Sequence, residues 1–267
     1  MPLPKIDVLI PAIEKDLGTL PYVIDSVRRM VKHPIGKFMI VSPDTPRMRQ
    51  LCASKGCTLV NENTVLPIFK KHIHYRSARW ERSGWLFQQL LKLSGDKLCT
   101  QSHYLVIDAD TMLIRPHTFL TADKKTVFYT RNWSQPEYYS TYRKLLGRKE
   151  RKPSFVTHYM LFEKAKVSQL KRTIEAKHQT SWYKAILKSM NKTKQFAFSE
   201  FETYGNFHCS QYSGSHQLKP ALNKSLHLHP RQLTAAKRQQ LAKRFRSVSF
   251  HKRKGYVRGG SRGSSTG

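Results

Sequence analysis

Acidic residues are scarce in this sequence, and they stop altogether after Glu202. Against 17 aspartates and glutamates stand 48 lysines and arginines, a formal net charge of +31. Such a surface attracts polyanions, whether nucleic acid, anionic lipid headgroups or phosphorylated substrates, and does not choose among them. Cysteine is sparse too. Cys52, Cys57, Cys99 and Cys209 are scattered, and the Cys52–Cys57 spacing lacks the second pair that a zinc site needs, so they read as buried or incidental thiols in a reducing compartment. No apolar run approaches the roughly 20 residues required to span a bilayer. The start of the chain carries no basic-then-apolar leader. The expectation is a cytoplasmic protein, at most peripheral to the inner face of the cell membrane. Helix-turn-helix, zinc-finger and RNA-recognition patterns are missing. So is a glycine-rich, lysine-bearing phosphate loop after the first strand.

What is present is a core. The apolar fraction is 39% with abundant aromatics, which excludes wholesale disorder. Ile6 to Ala12 reads as a buried strand, Leu20 to Val31 as a helix, Lys37 to Pro43 as a second strand, Met48 to Lys55 as a short helix closed by Gly56, and Cys57 to Val60 as a third strand. This alternation predicts a parallel sheet with helices on its faces, and ligands in such sheets bind beyond the carboxyl ends of the strands. Pro11-Ala12-Ile13 and Ser42-Pro43-Asp44 lie at two such ends.

A third end is the most informative stretch of the chain, Tyr104 to Arg115, YLVIDADTMLIR. A continuous apolar run stops in Asp108-Ala109-Asp110, and burying an unpaired carboxylate is costly unless a metal ion or a paired cation is at hand. Two aspartates across one small residue suit a hard divalent cation, Mg²⁺ or Mn²⁺; a solvated strand-end turn is the plainer alternative. Upstream, a predicted helix over Arg79 to Leu93 places Trp85, Gln88, Gln89 and Lys92 on one face. That face reads equally as a polar-aromatic wall over a ligand, with Lys92 set for a phosphate, and as an exposed amphipathic surface. Thr126 to Thr130 is expected to resume the sheet. Tyr138 to Lys152 reads as a basic solvated loop or helix end, and Phe155 to Phe162 as a strand in which His158 is more readily a satisfied core histidine than a catalytic one. Val167 to Met190 predicts two helices.

Glu200 and Glu202 are the last acids, set among aromatics, with Ser199 placed to cap a helix beginning there. Carboxylates in such surroundings suit a base or a hydroxyl-binding acceptor. Residues 1–230 are expected to form one domain. Residues 231–267 are expected to form a basic tail, an amphipathic helix over Arg231 to Phe250 and then a disordered Gly/Ser/Arg stretch from Gly255, fit to meet an anionic membrane or nucleic acid.

Several of these stretches resemble a little-characterised group of bacterial glycosyltransferase-like proteins. The likeness rests on the strand ending Asp108-Ala109-Asp110, the strand ending Ile10-Pro11-Ala12 and the W-x-x-Q-Q-x-x-K-L helix from Trp85. Thr157-His158-Tyr159-Met160 and the S-E-x-E-x-Y-G motif from Ser199 also carry it, and it covers roughly Lys5 to Phe207. The resemblance implies a GT-A-type, Rossmann-like mixed sheet flanked by helices, a nucleotide-sugar donor, UDP-linked, and an acceptor glycan or lipid-linked sugar. It implies Mn²⁺ or Mg²⁺ on Asp108 and Asp110, with His227 or His229 able to supply a late ligand. Pro11, Ala12 and Ile13 would border the nucleotide, with Ser42, Trp85 and His158 also on the ligand side. Lys92 and Gln89 would reach phosphate or sugar, and Glu200 or Glu202 would orient the acceptor hydroxyl. Two other readings remain: a sugar-phosphate nucleotidyltransferase, and a non-enzymatic nucleic-acid-binding protein acting through charge alone.

Overall fold

The computed structural model describes residues 3–133 and 135–250. The first half alternates strand and helix. β1 (Ile6–Pro11) is buried at every position, as befits a strand covered on both faces. α1 (Leu20–Met30) buries Leu20, Val23, Ile24 and Val27 at helical spacing and carries Arg28 and Arg29 in its last turn, where cations complement the helix dipole. β2 (Ile35–Ser42), α2 (Pro46–Ser54) and β3 (Thr58–Asn61) follow. Thr45 caps α2 by accepting from the Met48 N–H, and Gly56 turns the chain out of it at φ 55°.

A short antiparallel pair, β4 (Arg76–Ser77) and β5 (Trp80–Glu81), leads into α3 (Ser83–Leu93) and the single turn α4 (Gly95–Leu98). The predicted helix from Arg79 therefore starts four residues late, because Trp80 and Glu81 pair back across the hairpin. β6 (His103–Ile107) enters beside β1, and β7 (Thr111–Leu113) follows the Asp-Ala-Asp turn. β8 (Thr126–Thr130), α5 (Pro136–Leu146), β9 (Tyr159–Glu163), α6 (Lys164–His178), α7 (Trp182–Ser189) and α8 (Glu200–Gln211) complete the body.

The main sheet runs β3-β2-β1-β6-β9, parallel throughout except for β9, which is antiparallel to β6. Buried Asp7 ties its lower end together: the carboxylate accepts from the backbone N–H groups of Lys37, Thr100 and Gln101. Side chains alternate to two cores. Leu9, Val41 and Val106 pack with α3 and α5 to α8, whereas Val8, Ile10, Leu105 and Ile107 pack with α1, α2 and β7.

Four expectations need correcting. β8 does not extend the main sheet but pairs in parallel with β10 (His216–Pro220). Tyr138 to Leu146 is not a solvated loop; α5 buries Tyr138, Tyr139, Tyr142, Leu145 and Leu146, tyrosine rings supplying an apolar face that the basic residues obscure. Of Phe155 to Phe162, the first half is not strand, and His158 sits in the left-handed region at φ 72°. Finally, Arg231 to Phe250 is not one helix. Only α9 (Ala235–Ala242) is helical, and β12 (Ser247–Ser249) pairs with β7 and with β11 (Asn223–Ser225), burying Val248. Residues 231–250 are thus woven into the body rather than set apart from it. The stretch from Gly255 lies outside the described residues. Cys52, Cys99 and Cys209 are buried and unpaired, and no described helix is long and apolar enough to cross a membrane.

Candidate active site

The Asp-Ala-Asp turn is fixed by backbone before any side chain acts. The Asp108 N–H donates to the His158 carbonyl at 2.9 Å, and Thr111 N–H closes the turn on the Asp108 carbonyl at 3.1 Å. Thr19, entering α1, donates its hydroxyl to the Ala109 carbonyl at 2.8 Å. The loop after β1 and the turn after β6 are therefore joined at the carboxyl end of the sheet.

Asp108 is held by two groups. Its Oδ1 accepts from Lys92 Nζ at 2.6 Å and its Oδ2 lies 3.0 Å from His158 Nδ1. Lys92 Nζ also donates to Glu200 Oε1 at 2.7 Å and sits 4.5 Å over the Phe201 ring. The Lys92 side chain is 4% exposed, so its ammonium is a built-in counterion and not a surface lysine. Burial alone would push that ammonium down, but Asp108 and Glu200 hold it above the ordinary lysine range. Burial likewise opposes ionisation of Asp108, yet Lys92 and then His158 keep its carboxyl well below the usual carboxylate range. Glu200 is raised by burial, an effect only partly offset by Lys92. Gln89 orients the Glu200 end by accepting from its backbone N–H at 3.1 Å. The helical face of Gln89 and Lys92 consequently points inward, and the exposed-surface reading of it fails. Trp85, one turn earlier, lies in a stack with Arg82, whose guanidinium is 4.7 Å over its ring.

The S-E-x-E-x-Y-G motif separates into distinct jobs. Ser199 caps α8 by accepting from the Glu202 N–H at 3.2 Å. Glu200 faces Lys92. Glu202 turns the other way, its Oε2 accepting from the Ser154 hydroxyl at 2.7 Å and the Phe155 N–H at 3.2 Å, and its Oε1 from Asn206 Nδ2 at 3.0 Å. Its Oε2 therefore serves the loop before β9 and its Oε1 a neighbour on α8 itself. Tyr204 accepts from the Glu163 N–H at 2.9 Å, and a Cβ on Gly205 would come within 2.4 Å of the Phe155 ring, so only glycine lets helix and loop approach so closely.

Of the other predicted residues, Pro11 and Ala12 are buried and Ile13 is 38% exposed. Ser42 is buried with its hydroxyl donated to the Pro43 carbonyl at 2.9 Å. His229 comes close: its Nε2 lies 3.2 Å from where a Cβ on Gly18 would be, next to the Thr19 that binds the Ala109 carbonyl. Its Nδ1 accepts from the Arg231 N–H at 3.2 Å, which places the ring proton on Nε2. His227 is exposed.

Asp16 is the residue that sequence reasoning passed over. Its carboxyl is raised chiefly by burial, and further by the charges of Asp110 and Asp108, which places it in the same acidic cluster. The signal was available, since Asp16 lies only three residues beyond the Pro11-Ala12-Ile13 turn. Among the described residues no three His, Cys, Asp or Glu side chains already converge as a metal site. The donor chemistry nevertheless suits a hard cation: Asp16 is raised in part by the charges of Asp110 and Asp108, so carboxylates gather at this turn. Each carboxylate oxygen of Asp108 also keeps a second lone pair beyond its bond to Lys92 or His158.

No curated protein sequence matches the chain. Among solved structures, it resembles apo mouse xyloside xylosyltransferase 1 with a TM-score of 0.50 at 11% identity, over 93% of this chain and 98% of that one. The apo bifunctional glycosyltransferase WbbM gives the same TM-score and identity, over 93% of this chain and 46% of the other. These likenesses establish the fold, a mixed sheet flanked by helices of the GT-A glycosyltransferase type. Residues 4–244 match a family of unknown function, DUF6492, and the chain belongs to that family.

Proposed function

We propose that the protein is a metal-assisted glycosyltransferase, moving a sugar from a nucleotide-sugar donor to an acceptor hydroxyl. The observation that carries this reading is the buried Asp108–Lys92–Glu200 triad, with His158 on its far side, at the carboxyl end of the sheet where the loop after β1 meets the Asp-Ala-Asp turn. Three charged groups are held there together, joining α3 and α8 to the turn after β6. Their remaining lone pairs, on Asp108 and Glu200, are acceptors placed for sugar hydroxyls. Lys92 holds the Asp108 carboxyl low and partly offsets the burial that raises Glu200.

Asp110 would hold a Mn²⁺ or Mg²⁺ ion, with Asp108 contributing an oxygen and Asp16 standing beside them. Such an ion, when bound, neutralises charge that develops on the leaving nucleoside diphosphate. His229 joins only if its Nδ1 gives up the Arg231 N–H and its proton moves off Nε2. Glu200, rather than Glu202, is the carboxylate placed to orient an acceptor hydroxyl, because Glu202 is spent on the loop before β9 and on Asn206. Pro11, Ala12 and Ile13 border the nucleotide.

Thermal-shift measurements with UDP-sugars, with and without Mn²⁺, test the reading, since a ligand that binds the native state stabilises it by mass action. Wild-type protein is expected to be stabilised by one UDP-sugar only when Mn²⁺ is present, and Asp110→Asn to lose that metal dependence. If Asp110→Asn keeps it undiminished, the metal assignment is wrong. If nucleoside triphosphates stabilise and nucleotide-sugars do not, a nucleotidyltransferase takes its place.

A further inference from the structure

A second basic feature lies away from the aspartates, in the segment between β3 and α3. It is an open cavity of about 820 Å³, walled by the turn after β3, the Phe69–His74 loop, the β4–β5 hairpin and the first residues of α3. Lys70, Lys71, His74 and Arg76 line it. None of Lys70, Lys71 or Arg76 has a carboxylate within ion-pair distance among the described residues, although eleven such pairs exist elsewhere. Glu81, the one acid in the lining, stands opposite Arg76 in the β4–β5 hairpin without an ion-pair contact, and its Oε1 accepts from the Ser83 N–H at 2.6 Å.

Two details set this cavity apart from an ordinary solvated basic face. Lys70 is laid over the start of α3, its Nζ 3.7 Å from where a Cβ on Gly84 would be. A cation held against the positive end of a helix is unfavourable on its own. α3 has no acidic residue in its first turn, and its N-cap residue Arg82 makes no capping side-chain bond, so neither a first-turn acid nor a cap offsets that charge, while Glu62 and Glu81 meet Lys70 only from a distance. An anion between Lys70 and the helix would offset it. His74, in the same wall, is held at φ 49°, a left-handed conformation that a non-glycine residue adopts at a cost. Phe69, 39% exposed with Lys71 Nζ 5.9 Å over its ring, adds an apolar flank beside the cations.

We infer that this cavity is a binding site for a phosphate ester, with Lys70, Lys71 and Arg76 as its cations. A phosphate offers three acceptor oxygens to converging donors, and Phe69 gives the rest of the ligand a surface to lie on. From Ser83 to Lys92, α3 spans roughly 14 Å at 1.5 Å per residue. The phosphate site and the triad therefore stand at opposite ends of one helix. The site does not depend on the glycosyltransferase reading; if both hold, it anchors a phosphate-bearing acceptor while another part of that acceptor reaches the triad.

The test is binding of radiolabelled glycerol 3-phosphate to the full chain by equilibrium dialysis, compared with flotation on phosphatidic acid and phosphatidylcholine vesicles. Wild-type protein is expected to bind saturably. The Lys70→Gln/Arg76→Gln variant should lose about tenfold or more in affinity per cation removed, as expected for charge-assisted hydrogen bonds. Asp110→Asn should bind as wild type does, which separates this site from the proposed donor site. Binding of the free ester identifies a soluble ligand; binding only to phosphatidic acid, lost in the double variant, identifies a lipid headgroup. Binding unchanged in the double variant, binding abolished by Asp110→Asn, or no saturable binding to either probe overturns the inference. The double variant's thermal midpoint, matched to wild type, guards against misfolding.

Discussion

Lys92→Met removes the cation that Asp108 and Glu200 share while nearly preserving side-chain volume. Both carboxylate oxygens lie within 2.7 Å of the Lys92 nitrogen, and the Glu200 side chain is 3% exposed. Breaking a buried ion pair by removing one partner costs about 3–5 kcal/mol, because the other charge is left uncompensated. For a chain of this size each kcal/mol moves the thermal midpoint by roughly 2–4 °C, so a fall of about 6–20 °C is expected. The sign of the pH effect follows from the same geometry. Without Lys92, burial raises the Glu200 carboxyl further above its unfolded value. The folded state then holds a proton that the unfolded state has released, and stability is lost as pH rises through that folded pKa. Lys92→Met should therefore be closer to wild type at pH 5 than at pH 8. Lys92→Met/Glu200→Gln should recover part of the loss at pH 8, since one buried charge remains and His158 still faces Asp108. Differential scanning fluorimetry at the two pH values measures all of this. A midpoint within about 2 °C of wild type at both pH values would mean that the triad is not the electrostatic unit described above.

Two further expectations concern α8. Burial pushes Glu202 up to about 6, so its contribution is present below the ordinary glutamate range near 4.5 and is lost as pH rises through 6, an effect of about 2 kcal/mol. Urea titrations between pH 4.5 and 7.5 should show that Glu202→Gln flattens this fall; parallel pH profiles would contradict the burial of a titrating group. Gly205→Ala forces a Cβ into the Phe155 ring, an overpacking cost of about 1–3 kcal/mol, read as a lower urea midpoint with an unchanged slope.

What could be read from the sequence, and what could not, divides along physical lines. The three strand-end turns were legible because long apolar runs stopped by proline or paired aspartates leave few alternatives. The Gln89–Lys92 face was legible as a face; its burial was not, because an ammonium reads as exposed until the carboxylates across from it are known, and Glu200 lies 108 residues away. α5 was hidden because tyrosine has a polar tip on an apolar body. β12 was hidden because three residues are too few to show a period, and its partner β7 is far off in sequence. The division of labour between Glu200 and Glu202 was legible in principle. Positions i and i+2 on a helix do not share a face, so once Ser199 is taken as the cap the two carboxylates must point apart.

The acids and the bases of this chain answer different needs. Asp108 and Glu200 share one internal cation, Lys92, whereas Asp16 registers the charge of both Asp108 and Asp110. On the proposed metal-assisted reading, the internal lysine serves the Asp108–Glu200 side of the cluster, and the cation from solution is assigned to Asp110 with Asp108 contributing an oxygen. A surface this basic raises the local concentration of anionic ligands whatever their identity. It cannot by itself position a diphosphate against carboxylates that repel it. On that same proposed reading the cation arrives with or before the anion, so a UDP-sugar is expected to bind only after Mn²⁺, and equally tight binding with and without the metal would contradict that order.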